Sequence, residues 1–326
     1  MAILNTYSKQ YRLPRACKAR ADFKTESETE RMSKASLRAA IEAGEFVVAP
    51  GVPDMIAGLV SNKVGFDFVY ASGYWLTASA HGLPDAGLAT YTQMRDRVAT
   101  LARTVNAGVI ADADTGYGGL LNVHHTVRGY EEAGAVAVQI EDQEFPKKCG
   151  HTPFKRVIPV QDMAEKIRVA CEARRDPRET LIIARTDARQ PEGFESAVRR
   201  GIAYGEAGAD IIFVEALESE QELKQVCTRI SKPLLANMAA GGITPILPVD
   251  ELRRLGFCMA IFPGLASLAA AAAVETILTR LKQSGTAHQP DVPLFDFDTF
   301  NRLIGFPAVW DLDEKWARRR DASVER

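Results

Sequence analysis

The sequence contains no CxxC pair and no cluster of histidine and cysteine at metal-ligand spacing. Its five cysteines, Cys17, Cys149, Cys171, Cys227 and Cys258, are odd in number and far apart, which argues against a disulfide framework and for a reducing compartment. Cys171, Cys227 and Cys258 are expected in the core. Long hydrophobic runs are also missing: the best candidate, around Ala260 to Val274, is alanine-rich and carries Pro263 and Gly264, so no membrane span is expected. Neither sign of charge dominates. With 25% charged residues and a formal net charge of -2, there is no basic excess for nucleic acid and no acidic tail. No GxGxxG follows an early apolar run, which argues against a dinucleotide-binding fold. What remains is a globular composition, 46% hydrophobic, in a chain of 326 residues, a length within the range of a single α/β barrel. The first 21 residues carry Lys9, Arg12, Arg15, Lys18 and Arg20 with no acid before Asp22. That pattern faintly resembles a transit peptide, but an N-terminal arm, residues 1–34, packing on the body or on a partner subunit is the preferred reading. The expected location is cytoplasmic, with mitochondrial as the alternative.

From about Ala35, short apolar runs rich in β-branched residues alternate with longer helix-like segments, which implies a parallel sheet with covering helices. Eight runs can be counted: Phe46-Pro50, Asp67-Ala71, Gly108-Asp112, Val136-Glu141, Leu181-Arg185, Ile211-Val214, Pro233-Asn237 and Cys258-Phe262. Several are almost continuously apolar, as strands covered on both faces should be. Eight strands at spacings of roughly 25 to 40 residues predict a (β/α)₈ barrel over residues 35–281 rather than an open doubly wound sheet. Helices are expected over Met163 to Arg174, Phe194 to Ala207 and Ser219 to Arg229. Glu-Ala-Gly-Ala occurs twice, at Glu132-Ala135 and Glu206-Ala209, each time with glycine placed to end a helix. Residues 282–326 form a tail with Phe295, Phe297, Phe300, Leu303, Phe306 and Trp310, too apolar to hang free, so it should pack on the barrel or on a neighbouring subunit.

In such a barrel the chemistry lies at the C-terminal ends of the strands. Those ends read Tyr70-Ala71-Ser72-Gly73, Asp112-Ala113-Asp114, Glu141-Asp142-Gln143, Arg185-Thr186-Asp187, Glu215 and Asn237. Carboxylates ending successive strands would converge and repel, which calls for a cation. Hard oxygen donors favour Mg²⁺, with Mn²⁺ second; capping of helices or pairing with arginines is the alternative for any single acid. Ser72, with the amides of Gly73 and Tyr74, offers a seat for a substrate carboxylate, and Arg185 a bidentate clamp. A turn alone would account for Ser-Gly equally well, but its strand-end position favours a site. The stretch Lys147-Lys148-Cys149-Gly150-His151 reads as a catalytic loop. A thiol flanked by two ammonium groups and an imidazole is expected in a positive field that lowers its pKa, and Gly150 lets backbone approach a ligand. Taken alone, the pentapeptide also suits a solvated basic loop. His124 and His125 read as surface or packing residues, His81 as a turn residue before Gly82, and Trp75 as either a pocket wall or a plug of the barrel mouth.

Six ordered segments carry a family resemblance: Tyr70-Ala71-Ser72-Gly73, Gly82-Leu83-Pro84-Asp85, Ala111 to Gly118, Ile140-Glu141-Asp142-Gln143, Lys147 to His151, and Ala184 to Ala188. Together they resemble the isocitrate lyase/phosphoenolpyruvate mutase superfamily, and within it the short methylisocitrate lyase-like branch, over about Ala35 to Leu281. The resemblance implies a Mg²⁺-dependent barrel in which Asp112 holds the metal and Asp85, Asp114 and Glu141 act mainly through its waters. It implies that Arg185, Ser72 and the Gly73 and Tyr74 amides hold an α-keto-acid half. It also implies a closing loop of the lyase type, since the phosphonate mutases replace the cysteine, and a homotetramer that exchanges the last barrel helix between subunits.

These parts support retro-aldol cleavage of a 2-hydroxy acid to an α-keto acid, pyruvate or glyoxylate, and an enolate-derived carboxylic acid. Lys147 and His151 would stabilise developing charge, Cys149 would protonate carbon, and Tyr70 and Glu215 are both candidate bases. Glu215 and Asn237 match family positions that touch the departing acid. The following stretch, Met238 to Pro245, is apolar where isocitrate lyases have a polar, serine-rich loop, and Tyr74-Trp75 is bulky. The expected substrate is therefore a substituted malate such as 2,3-dimethylmalate. 2-Methylisocitrate comes next, followed by isocitrate, oxaloacetate hydrolysis or decarboxylation, and phosphonate mutase chemistry. A catalytically silent barrel would be expected to have lost Asp112, Glu141, Cys149 or Arg185, and all four are present.

Overall fold

The computed structural model describes residues 36–324; the expected N-terminal arm and Cys17 lie outside the described residues. Each of the eight apolar runs is a strand, with ends shifted by at most one residue: β1 (Val47–Pro50), β2 (Phe68–Ala71), β3 (Gly108–Asp112), β4 (Ala135–Glu141), β5 (Leu181–Thr186), β6 (Ile211–Val214), β7 (Leu234–Asn237) and β8 (Met259–Phe262). The strands are parallel in the order β1-β8-β7-β6-β5-β4-β3-β2. A bridge from Gly51 to Tyr70, with the Val52 amide donating to the Tyr70 carbonyl at 3.0 Å, brings β1 against β2. The result is a nearly closed (β/α)₈ barrel.

Although the strands read as unbroken apolar runs, their side chains still divide by parity, because successive Cβ atoms point to opposite faces. One set, including Phe68, Tyr70, Ile110, Ala137, Ile183, Phe213, Leu235 and Ile261, packs together in one cluster. The intervening residues, such as Val69, Ala111, Val138, Ile182, Ile212 and Ala236, belong to a second, larger cluster shared with residues of the surrounding helices. These are the barrel interior and the layer between sheet and helices. Two steps beyond Tyr70, Ile110, Ile183, Phe213 and Leu235 lie Ser72, Asp112, Arg185, Glu215 and Asn237. Glu141 extends the interior row begun by Ala137 in the same way. The parity that fills the barrel with aliphatic side chains thus turns these polar ones inward at its C-terminal mouth. At the other end, Leu37 of the helix Leu37–Glu42 joins the interior cluster and helps seal it.

The expected helices are observed at Val160–Ala173, Phe194–Glu206 and Glu220–Arg229, the last capped by the Ser219 side chain. Gly134 and Gly208, the glycines of the repeated tetrapeptide, have φ of 93° and 114°, a conformation that a side chain would strain. Two readings need correction. His81 is the last residue of the helix Gly73–His81 rather than part of a loop. Cys171, Cys227 and Cys258 are partly buried free thiols at the margins of the core rather than within it. His124 and His125 lie exposed on the helix Leu120–Glu132, where His125 packs on Tyr91 at 4.8 Å between ring centroids.

Among the described residues no helix is long and apolar enough to cross a membrane. The chain ends in helices Leu265–Ser284, Phe297–Leu303 and Phe306–Val324. None of the residues in Leu265–Ser284 is buried, and Leu265, Val274, Leu278, Phe297 and Trp310 are all exposed. The tail meets the barrel domain where Lys63 Nζ lies 4.9 Å from the centre of the Phe295 ring.

Candidate active site

A cavity of about 290 Å³ opens at the C-terminal mouth of the barrel, and its wall contains Tyr70, Ser72, Tyr74, Asp85, Asp112, Cys149, Gly150, His151, Arg185, Glu215 and Asn237. The other residues proposed from sequence, Gly73, Asp114, Glu141 and Lys147, lie behind that wall. The Gly73 amide donates to Asp112 Oδ2 at 3.1 Å, and the Asp114 amide to Asp112 Oδ1 at 3.1 Å. Glu141 Oε2 is 3.4 Å from Arg185 Nε, and Lys147 Nζ is ion-paired to Asp85.

The carboxylates form a buried cluster. Burial pushes the Asp114 carboxyl up to about 6 against the pull of Lys147, and the neighbouring Asp112 and Asp85 add to the rise. Burial likewise lifts Glu141 well above the ordinary carboxylate range, opposed by Arg185, and Glu141 Oε1 is buried with no hydrogen-bond partner. Such oxygens suit a hard divalent cation. Among the described residues no group of three or more His, Cys, Asp or Glu is arranged to hold an ion without further ligands.

Lys147 belongs to this cluster rather than to the cavity. Its ammonium pairs with Asp85 and, at 2.7 Å, with Asp114. Burial disfavours its charge, but the surrounding acids prevail and hold its pKa well above normal. Lys147 is expected to stabilise developing charge; it does not line the cavity, and its ammonium neutralises the acids beneath. The Gly73 amide is also redirected, serving Asp112 instead of a ligand. Ser72 and Tyr74 still face the cavity at the N-terminal end of Gly73–His81, where unpaired amides favour an anion.

Arg185 is not a free fork. Its Nε and Nη2 donate to Asp187 at 2.8 and 3.0 Å, and Nη2 lies 3.2 Å from Glu215. Burial opposes its charge, but Asp187, Glu141 and Glu215 outweigh burial and hold it firmly protonated. Asp187 therefore sets the orientation of the guanidinium.

The loop carrying Cys149 corrects another expectation. The two lysines before the thiol point away from it: Lys147 reaches the acids, and Lys148 Nζ donates to the Phe154 carbonyl at 3.2 Å on the surface. Burial raises the Cys149 pKa, only partly offset by a hydrogen bond from the His151 backbone and by Arg185. The residue is thus a protonated thiol rather than an activated thiolate. His151 Nδ1 accepts from the Ile243 amide at 3.2 Å, and its Nε2 lies 3.5 Å from Glu215 Oε1 and 3.3 Å from Asn237 Nδ2. Glu215 accepts from the Ala216 amide at 2.8 Å and from Asn237 Nδ2 at 3.1 Å. Tyr70 is buried and donates to Gln139 at 3.1 Å, and burial, reinforced by Asp112, holds its phenol well above the usual range.

Asp187 is among the polar strand ends read from sequence but is given no role there, although it shares the inward parity of Arg185; Lys155 is not singled out and carries no local signal. Trp75, undecided between wall and plug, lines the cavity with Pro263, Gly264 and Leu268.

Comparison with known proteins gives the family. The family described as phosphoenolpyruvate phosphomutase matches residues 37–282. The 2,3-dimethylmalate lyase of Eubacterium barkeri is 41% identical over 286 residues, covering 88% of this chain and 99% of its own. The 2-methylisocitrate lyase of Aeropyrum pernix is 43% identical over 290 residues, covering 89% and 93%. A crystal structure of 2,3-dimethylmalate lyase superposes with a TM-score of 0.80 at 36% identity, covering 86% of this chain and 93% of that one. Members of this group are generally dependent on a divalent metal. The chain therefore belongs to the phosphoenolpyruvate mutase/isocitrate lyase superfamily, as one of its carbon–carbon lyases.

Proposed function

We propose that this protein cleaves the C2–C3 bond of a substituted malate of the 2,3-dimethylmalate type, releasing pyruvate and a short carboxylic acid. The observation that carries the reading is one cavity lined by Arg185, Glu215 and the protonated Cys149 thiol, bounded on another part of its wall by Trp75, Ala239, Ala240, Pro263 and Leu268. Arg185 and His151 are the basic side chains in that wall, so the apolar part suits an alkyl-bearing acid better than a second distal carboxylate. Cleavage of 2-methylisocitrate is the second reading, supported by the relative that carries that name.

Asp112 would hold Mg²⁺, with Asp85, Asp114 and Glu141 reaching it through water; when bound, the ion supplies Lewis-acid stabilisation of the keto-acid oxygens. Arg185 and Ser72 grip the keto-acid half, helped by the Tyr74 amide. Glu215 takes the C2 hydroxyl proton, since Tyr70 is held as a phenol and its O–H is committed to Gln139. As the C2–C3 bond breaks, its electron pair passes to the departing acid, whose enolate form gains stabilisation from Arg185 and His151. Cys149 then delivers its proton to carbon, a role that a half-buried, protonated thiol suits. The exposed apolar surface of Leu265–Ser284 and of the tail supports a homotetramer with that helix exchanged between subunits.

The test is purified protein with Mg²⁺ and a panel of 2,3-dimethylmalate, 2-methylisocitrate, isocitrate and oxaloacetate. Lactate dehydrogenase coupling follows the keto-acid products, and absorbance follows oxaloacetate. Pyruvate from 2,3-dimethylmalate at the highest kcat/KM is the expected result. Faster cleavage of isocitrate would overturn the substrate assignment.

A further inference from the structure

Lys155 is nearly inaccessible, with 1% of its side chain exposed. A lysine so deeply buried needs partners of matching charge or dipole. It has two: its ammonium donates to the Gly150 carbonyl and to Asp187 Oδ1 at 3.2 Å. Asp187 is the carboxylate that grips Nε and Nη2 of Arg185. A single ammonium thus ties the backbone beside the proton donor to the group that aims the substrate-binding arginine.

At the start of the loop Lys147 is ion-paired to Asp85 and Asp114, and between these two ammonium anchors the backbone is held by neutral contacts. Gln143 clamps Lys148 through both ends of its side-chain amide, at 2.7 and 2.9 Å, and His151 accepts from Ile243. Gly150 packs so tightly on the arginine that a Cβ added there would lie 2.2 Å from Arg185 Nη2. Withdrawal of Gly150 would break the Lys155 contact but leave the Lys155–Asp187 pair intact, so the anchor remains in place for the loop to return to.

We propose that Lys155 is a positioning residue: a latch that couples closure of the 147–155 loop to the orientation of Arg185 through Asp187. The kinetic consequence rests on the lyase reading above; the structural consequence does not. A hydrogen bond from a charged group is strong enough that its loss should raise the population of the opened loop about tenfold or more.

The test uses full-length wild type, Lys155→Met and Lys155→Arg in Mg²⁺ buffer. Limited trypsin digestion is read at the exposed Lys148 and at sites elsewhere in the barrel, alongside thermal melts and the coupled assay. In Lys155→Met, cleavage after Lys148 should accelerate about tenfold or more with cleavage elsewhere unchanged. kcat should fall by a similar factor while KM stays within about threefold. Lys155→Arg keeps the charge but not the compact ammonium geometry, so it should lie between the two. Wild-type loop cleavage in both variants would overturn the latch, as would an acceleration spread evenly over the barrel. Should Lys155→Met fail to fold, Lys155→Arg is judged by the same two criteria. Should wild type cleave none of the panel, the lyase reading fails while the proteolysis comparison still decides the latch.

Discussion

Replacing Gly150 with alanine adds one methyl group at the most constrained point of the site. That carbon would lie 2.2 Å from Arg185 Nη2, 2.7 Å from Glu215 Cγ and 2.8 Å from Glu215 Oε2. Neither neighbour can yield cheaply. Arg185 is held by two bonds to Asp187, and Glu215 by the Ala216 amide and Asn237, all in a buried setting. The loop must therefore retreat by about 1 Å, and a displacement of that size at a reacting centre costs about a hundredfold in rate. Gly150 has no left-handed backbone to strain, and few core contacts depend on it. The melting temperature should accordingly fall by less than about 4 °C, the shift expected for a loss of about 1 kcal/mol in a domain of this size. The assay is kcat from pyruvate release by Gly150→Ala, with a parallel melt. A kcat within about threefold of wild type would refute the reasoning, because the arginine and the loop would then not be packed as described.

Cys149→Ser and Cys149→Ala should lower kcat by about 10² to 10⁴, the range for loss of a general acid, with secondary structure unchanged by circular dichroism; full activity in either would remove Cys149 from the mechanism. Because burial raises the thiol pKa, the competent S–H form persists as pH rises, so kcat should show no loss from this group through neutrality and up to the range in which a free thiol ionises. A kcat limb falling near neutrality and abolished by Cys149→Ser would contradict that sign. Chelation with EDTA should abolish cleavage and Mg²⁺ restore it, while Asp112→Asn should weaken Mg²⁺ binding measured by calorimetry; unchanged affinity would exclude Asp112 as the principal ligand. Trp75→Ala should enlarge the cavity and raise kcat/KM for 2-methylisocitrate relative to 2,3-dimethylmalate. An unchanged ratio would mean that Trp75 does not limit substrate size.

Much of the barrel was legible because a strand buried on both faces must be apolar throughout. All eight runs were therefore visible, and their polar last residues marked the mouth. Parity carried this further: Ser72, Asp112, Arg185, Glu215 and Asn237 each lie two positions beyond a barrel-interior side chain. Contacts across the barrel were not legible. Asp187 and Lys155 are 32 residues apart, and no local pattern announces that they meet. Adjacent residues also part company, as Lys147 and Lys148 do, one ammonium reaching buried acids and the other a surface carbonyl.

The sequence by itself determined the eight-stranded barrel, the row of polar strand ends and the family motifs, because periodicity and residue type depend only on local order. Tertiary structure alone decided which charges meet. It sent Lys147 to Asp85 and Asp114 and closed Asp187 around Arg185. It also reversed the expected sign of the Cys149 shift, because a pKa answers to burial and to charges brought near in space rather than to neighbours in the chain.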